Sequence, residues 1–63
     1  MNGVLTEYLN EFNDAMRLGR VPRRIAFVRT KVTGAVGETV RYNGHDYRIT
    51  QIEGGQVLAE LIG

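Results

Sequence analysis

The chain has 63 residues, a formal net charge of +1, one histidine and no cysteine. A chain this short forms a single domain, residues 1–63, and buries only about 60% of the surface that its unfolded form exposes. The composition excludes disulfides and thiolate ligands, and one histidine is too few for the usual zinc sites, so we expect neither a metal nor another cofactor. Without such staples, a small core favours self-association or a bound partner.

The sequence predicts no targeting or membrane-spanning segment. Its first residues lack the basic region of a signal peptide, and its apolar runs are far shorter than a membrane span. The lack of cysteine fits a reducing compartment. We therefore expect a cytoplasmic protein with no membrane partner.

Residues 4–18 are predicted to form an amphipathic helix. Apolar side chains recur at helical spacing and form one full stripe, made of Val4, Leu5, Tyr8, Leu9, Phe12, Ala15 and Met16. Asn2 or Thr6 is the candidate N-cap. Gly19, with a proline three residues later, predicts where the helix ends.

Residues 24–32 are predicted to form the first strand. This stretch contains the β-formers Ile25, Phe27, Val28 and Val32. Arg29 and Lys31 would share a face with Ile25 and Phe27, so that face is apolar at one end and basic at the other. Residues 33–37 then form a loop.

Asn43-Gly44 is the clearest turn signal in the chain, and it joins predicted strands at residues 38–42 and 45–52. An Asn-Gly pair suits a type I′ turn, because both of its central residues take positive φ. The turn sets the register, with Tyr42 opposite His45 and Arg41 opposite Asp46 as a charge pair. One face then carries Val40, Tyr42, His45, Tyr47 and Ile49, and the other carries Thr39, Arg41, Asp46 and Arg48.

Gly54-Gly55 predicts a second hairpin, whose returning strand covers residues 57–62. Counting back from this turn places Thr50 opposite Ala59, which puts the apolar residues of the last strand on the face opposite to Tyr47. Either a bulge near Thr50 or a sharp bend in the sheet resolves this conflict, and we favour the bend.

Together these elements predict an α+β domain, with an N-terminal amphipathic helix followed by a four-stranded antiparallel meander. The sheet is either open or curled into an SH3-like or Sm-like small barrel. The conflict of faces in the second hairpin favours the curled form.

The charge is unevenly distributed: residues 1–16 sum to −3, residues 17–31 to +6 and residues 32–63 to −2. The bases of the middle part, called here the basic segment, are Arg17, Arg20, Arg23, Arg24, Arg29 and Lys31. They would bind phosphate or the carboxylates of an acidic protein surface. Solubilising charge on a helix end and an edge strand explains them equally well.

Three further patterns have plainer explanations than a site. The glycines at 34 and 37 suggest a phosphate-binding loop, but the helix that such loops need is missing, so an ordinary flexible turn is favoured. His45 lacks a nucleophile and an orienting partner, and packing on Tyr42 is simpler than general-base catalysis. The third pattern combines aromatic and basic residues: Tyr42, His45 and Tyr47, with Arg41 and Arg48 nearby. Such a group could form a stacking platform for nucleic-acid bases, but we favour packing of the aromatic residues in the core.

The residues do not supply a nucleophile, a base and oxyanion donors together, so we expect no enzyme. The sequence favours a small non-catalytic protein-binding module, acting as the compact inhibitors and adaptors of viruses and mobile elements do, and docking onto a larger protein through the basic segment. A nucleic-acid-binding small barrel using the same arginines is the alternative. A self-associating subunit, paired through Leu58 or Leu61-Ile62 of the last strand, is the third possibility.

Overall fold

One helix precedes four strands in the computed structural model, which describes residues 3–63. The elements are α1 (Gly3–Leu18), β1 (Arg24–Val28), β2 (Thr39–Tyr42), β3 (His45–Glu53) and β4 (Gln56–Leu61). The predicted α+β class, with a leading helix and four antiparallel strands, is confirmed. The predicted bounds of α1, β2, β3 and β4 lie within one residue of those observed.

The first strand is shorter than predicted, because β1 ends at Val28 and residues 29–32 turn away from the sheet. The N–H of Lys31 donates to the Val28 carbonyl at 2.9 Å and closes a tight turn. The Arg29 guanidinium folds back and donates to the carbonyl of Gly34 at 2.7 Å. The prediction that Arg29 and Lys31 lie on the strand face of Ile25 is therefore wrong, since turn hydrogen bonds override the β-propensity of this stretch.

The sheet is antiparallel throughout, with the order β1-β4-β3-β2. Consecutive pairing, as in a meander, therefore holds for β2 to β4, whereas β1 pairs with β4 instead of its neighbour in sequence. Phe27 of β1 and Tyr42 of β2 lie on opposite edges of the sheet, yet their ring centroids are only 5.4 Å apart. Such a contact requires the sheet to curl into a half-barrel, which confirms the curled form.

The first hairpin has the predicted register. Tyr42 pairs with His45 and Arg41 with Asp46. Asn43 and Gly44 have φ values of 54° and 81°, as a type I′ turn requires. The Arg41 guanidinium lies 3.3 Å from the Asp46 carboxylate, so the predicted cross-strand charge pair forms.

A β-bulge at Thr50 resolves the conflict of faces in the second hairpin. Ile49 pairs with Ala59 and Gln51 with Leu58, so Thr50 has no partner in β4. The predicted pairing of Thr50 with Ala59 is wrong by this one residue. The extra residue brings the side chains of Ile49 and Ala59 to the same face, where both are fully buried.

The core lies inside the half-barrel. Ile25, Tyr47 and Ala59 are fully buried there, and five partly buried residues pack against them: Phe12, Phe27, Val40, Tyr42 and Leu61. The helix contributes less than its full apolar stripe. Tyr8 and Ala15 are buried, but Val4 and Met16 remain 42% and 51% exposed.

Helix α1 packs against β1. It begins before Thr6, so Thr6 lies inside the helix and does not cap it. The other candidate cap, Asn2, lies outside the described residues. The Tyr8 hydroxyl donates to the Glu60 carboxylate at 2.9 Å and hydrogen-bonds the Thr50 hydroxyl at 2.9 Å, which ties α1 to β4 and to the bulge.

Candidate binding surface at the helix–sheet connector

Residues 19–23, called here the connector, join α1 to β1. At their start, Gly19 has a φ of +71°, a conformation that strains other residues. The Gly19 N–H donates to the Met16 carbonyl at 3.3 Å, and the Arg20 N–H donates to the Ala15 carbonyl at 2.8 Å. These two bonds form a Schellman motif, which fixes the direction in which the chain leaves the helix.

The far end of the connector is fixed to the sheet. The Tyr47 hydroxyl donates to the Pro22 carbonyl at 2.7 Å, and the Leu61 N–H donates to the Arg23 carbonyl at 2.8 Å. Tyr47 and Pro22 are both buried. Burial raises the pKa of the Tyr47 hydroxyl, so it stays protonated as the donor, and the neighbouring Tyr42 adds to the shift. The connector is therefore held at both ends.

Around the connector, three apolar side chains project into solvent. Met16 is 51% exposed, Leu18 57% and Val21 46%. Two exposed arginines flank Val21. We call this group the connector surface; its members are Met16, Leu18, Arg20, Val21 and Arg23.

Two clefts border the connector, and Arg20, Val21 and Pro22 line both of them. The larger cleft, of about 290 Å³, is completed by α1 residues that include Leu18. The smaller, of about 180 Å³, is completed by Met16 and the tip of the first hairpin, including His45. The segment from Arg20 to Pro22 is thus a ridge between two depressions that side chains of a partner would enter.

The acidic residues of the helix form ion pairs within the chain. The Arg24 guanidinium lies 3.8 Å from the Glu7 carboxylate, 3.5 Å from that of Glu11 and 3.7 Å from that of Glu60. It also lies 5.5 Å from the centroid of the Tyr8 ring. One arginine is therefore shared by three carboxylates from α1 and β4. Glu11, Glu60, Arg24 and the connector residue Arg23 border a third cleft, of about 400 Å³.

Two arginines of the connector surface keep their charge uncompensated. Within residues 3–63, neither Arg20 nor Arg23 makes an ion pair, whereas Arg17 pairs with Asp14 at 2.9 Å. Two other exposed bases, Lys31 and Arg48, also lie outside the ion pairs of this part of the chain. The five residues of the connector surface include no acid, so the surface itself is positively charged.

The structure divides the basic segment instead of bringing it together. Arg17 and Arg24 are in ion pairs, and Arg29 holds the loop after β1. The connector arginines precede β1 and Lys31 follows it, so a five-residue strand of about 17 Å separates them. The predicted six-residue surface thus reduces to Arg20 and Arg23.

The tyrosine platform suggested by the sequence is a core cluster. Tyr47 is fully buried, so its ring offers no stacking surface. Tyr42 makes T-shaped contacts with Phe12, Phe27 and Tyr47, at centroid distances of 6.2, 5.4 and 6.3 Å. These contacts confirm core packing for both tyrosines. The nearby bases lie on the opposite strand face: Arg41 is paired with Asp46, and Arg48 is exposed.

His45 and Tyr42 nevertheless border the connector surface. Both line the 180 Å³ cleft together with Arg20. The fold thus brings a base of the connector next to the tip of the first hairpin, a juxtaposition that sequence spacing did not reveal. Leu18 and Val21 were also not recognised from the sequence; the available signal was two apolar residues that bracket the helix stop at Gly19.

The glycine loop from Gly34 to Gly37 is not available for phosphate. The Ala35 N–H donates to the Glu38 carboxylate at 3.2 Å, so an internal anion already occupies a donor that a phosphate would need. A Cβ at Gly34 would lie 2.9 Å from the Ile49 side chain. The glycine therefore serves close packing, and the loop is a turn, held in place by these contacts.

Within residues 3–63, no group of three His, Asp or Glu side chains is arranged to hold a metal ion. No helix in that part of the chain is long and apolar enough to cross a membrane.

No protein-family model matches the chain, and neither a curated protein nor a solved structure shows significant similarity to it.

Proposed function

We propose that this chain is a small non-catalytic protein-binding module that docks onto a larger protein through the connector surface. The observation that carries the proposal is the group of three exposed apolar side chains, Met16, Leu18 and Val21, placed next to two uncompensated arginines. Protein interfaces combine an apolar centre with arginine and methionine in this way, and charged residues are concentrated at their rim.

The rigidity of the connector supports this function. Bonds from Tyr47 and Leu61 hold its backbone, so little conformational entropy remains to be lost when a partner binds. A pre-organised surface of this kind gives a small module useful affinity despite its limited area. The module would then act as an inhibitor or an adaptor by covering a surface of its partner.

The partner is expected to present carboxylates opposite Arg20 and Arg23. A guanidinium forms bidentate hydrogen bonds with a carboxylate, and such charge-assisted bonds are roughly twice as strong as neutral ones. The apolar residues of the connector surface would contact apolar side chains of the same partner segment.

Site-specific photocrosslinking tests this proposal. A photoreactive p-benzoylphenylalanine replaces Val21 in one variant and Val36 in a control, since both valines are exposed but only Val21 belongs to the connector surface. We expect one protein to be crosslinked in stoichiometric yield from position 21 and not from position 36. Equal crosslinking from the two positions, or none from position 21, would contradict the proposal.

A nucleic-acid-binding small barrel is the second candidate. The cleft that Arg20 shares with His45 and Tyr42 favours it, because cationic and aromatic groups are combined there. The divided basic segment and the burial of Tyr47 speak against it. Nucleic-acid binding would weaken linearly in a plot of log K against log salt, and anisotropy titrations of labelled RNA, single-stranded DNA and duplex DNA at low salt would measure it.

A further inference from the structure

The outer edge of β2 is a second feature that a partner chain would use. The Ile49 N–H donates to the Glu38 carbonyl at 2.9 Å and the Gly37 N–H donates to the Ile49 carbonyl at 2.8 Å, so a bulge at Gly37 and Glu38 joins the start of β2 to β3 at a hydrogen-bonded position. Hydrogen-bonded and non-hydrogen-bonded positions alternate along antiparallel strands. Thr39 and Arg41, which lie between the bonded pairs, therefore direct their N–H and C=O groups away from β3. Both residues are exposed.

This is the open edge of the sheet, since the strand order makes β1 and β2 the two edge strands and α1 packs against β1. The half-burial of Arg24 and Ala26 reflects this cover. Strand β4 lies between β1 and β3, and its Leu58 is fully buried. The self-association through β4 that the sequence suggested is therefore wrong.

The β2 edge is only four residues long, which limits strand pairing, but it lacks the other features that prevent it. It contains neither proline nor lysine, and no bulge interrupts its register with β3 from Thr39 to Tyr42. Its single charge, on Arg41, is compensated by Asp46 at 3.3 Å, and the same guanidinium donates to the Gly44 carbonyl at 3.4 Å. The edge therefore presents backbone donors and acceptors without a net repulsive charge.

We propose that β2 pairs antiparallel with β2 of a second copy of this chain, about a twofold axis at Val40. This register places Thr39 opposite Arg41 of the second copy, and each such pair exchanges two backbone hydrogen bonds. A register shifted by two residues in one direction pairs Arg41 with Arg41 and leaves Thr39 without a partner in β2, and the shift in the other direction leaves Arg41 without one. The register centred on Val40 pairs both outward-facing residues of each β2 strand.

The geometry gives a closed pair. A twofold contact uses the same edge on both copies and closes on itself, and the second edge strand of each copy, β1, packs against its own helix. Pairing therefore stops at two copies. The dimer also adds buried backbone and side-chain contacts to a chain whose own core is small. This proposal does not depend on the connector surface.

Sedimentation equilibrium over a wide range of protein concentration tests the dimer. We expect the mass to rise with concentration from 7.1 kDa towards twice that value. Arg41→Pro removes the outward N–H and should raise the dissociation constant by about tenfold or more, whereas Arg41→Ala keeps the N–H and should leave a dimer. A mass that stays at 7.1 kDa at every concentration overturns the proposal.

Cysteine pairing tests the register separately and does not require the proline variant to fold. The chain has no cysteine, so every disulfide formed by single-cysteine variants joins two copies. We expect an oxidised mixture of Thr39→Cys and Arg41→Cys chains to form the mixed disulfide in excess of random pairing, because only these positions face each other. Random pairing of the two variants would show that the copies associate elsewhere and would overturn the proposed interface.

Discussion

Tyr47 donates a hydrogen bond of 2.7 Å to the carbonyl of Pro22, and this bond joins the buried centre of the sheet to the exposed connector. Tyr47 belongs to the core cluster, while Pro22 precedes the start of β1 by two residues. A core side chain thus positions the surface that we assign to binding. One hydroxyl group therefore links the stability of the core to the position of the connector.

The first prediction follows from this bond. Tyr47→Phe removes the donor and leaves the buried Pro22 carbonyl without it, which should lower the free energy of unfolding by about 1–3 kcal/mol. Urea denaturation measures the change. Tyr42→Phe is the matched control, because within residues 3–63 its hydroxyl makes no hydrogen bond, and it should cost less than about 0.5 kcal/mol. Equal losses in both variants would contradict the role of the bond.

The second prediction concerns the charge cluster around Arg24. Arg24→Ala leaves the carboxylates of Glu7, Glu11 and Glu60 without their shared cation, and should lower the free energy of unfolding by about 1–2 kcal/mol, with a smaller loss at high salt. Arg17→Ala breaks one highly exposed pair and should cost about 0.5 kcal/mol or less. Thermal unfolding at two salt concentrations measures both. If the two variants lose the same stability, Arg24 has no special role in this charge cluster.

A third prediction concerns alkaline pH. Burial raises the pKa of the Tyr8 hydroxyl above its ordinary value of 10.0, against an opposing hydrogen bond from Thr50, and burial also raises the pKa of Tyr47. Above about pH 10 the unfolded chain therefore loses these protons before the folded chain does, so the free energy of unfolding falls as the pH rises. Below that pH the two states hold the same tyrosine protons and this effect is absent.

Urea denaturation between about pH 8 and about pH 11 tests the alkaline loss. Tyr8→Phe and Tyr47→Phe should each flatten the decline above about pH 10 relative to the unmodified chain. An identical decline in the unmodified chain and in both variants would show that other groups cause it.

The fourth prediction concerns the packing of the loop between β1 and β2. In Gly34→Ala, the new methyl group would lie 2.8 Å from the Glu38 carboxylate and 2.9 Å from the end of the Ile49 side chain. Because Ile49 is fully buried, relief requires the loop to shift, and we expect a loss of about 1–2 kcal/mol. Gly55→Ala has open space around it and should be neutral or slightly stabilising. Thermal unfolding compares the two, and similar values would refute the close packing.

Local signals in the sequence predicted the parts of the fold that depend on neighbours in the chain. Asn43-Gly44 determines the register of the first hairpin, because a two-residue turn permits only one pairing of its flanks. The conflict between the Gly54-Gly55 turn and the buried position of Tyr47 pointed to an irregularity near Thr50. The structure has a bulge at Thr50 and not the bend that we favour from the sequence.

The remaining features depend on contacts between distant segments. The pairing of β1 with β4 joins Ile25 to Ala59, and no local pattern specifies such a partner. The compensation of Glu60 by Arg24 follows from that pairing, so the basic segment could not be divided into paired and unpaired arginines in advance. The end of β1 at Val28 is set by turn hydrogen bonds, which strand propensity does not report.

The affinity of charge-reversed variants for the crosslinked partner tests the binding claim most directly. One variant carries Arg20→Glu and Arg23→Glu, and its matched control carries Lys31→Glu and Arg48→Glu, so both have the same net charge. We expect the connector variant to bind at least about a hundredfold more weakly than the unmodified chain, and the control to stay within a few-fold of it. Equal weakening of both variants would mean that net charge, and not the connector surface, determines binding.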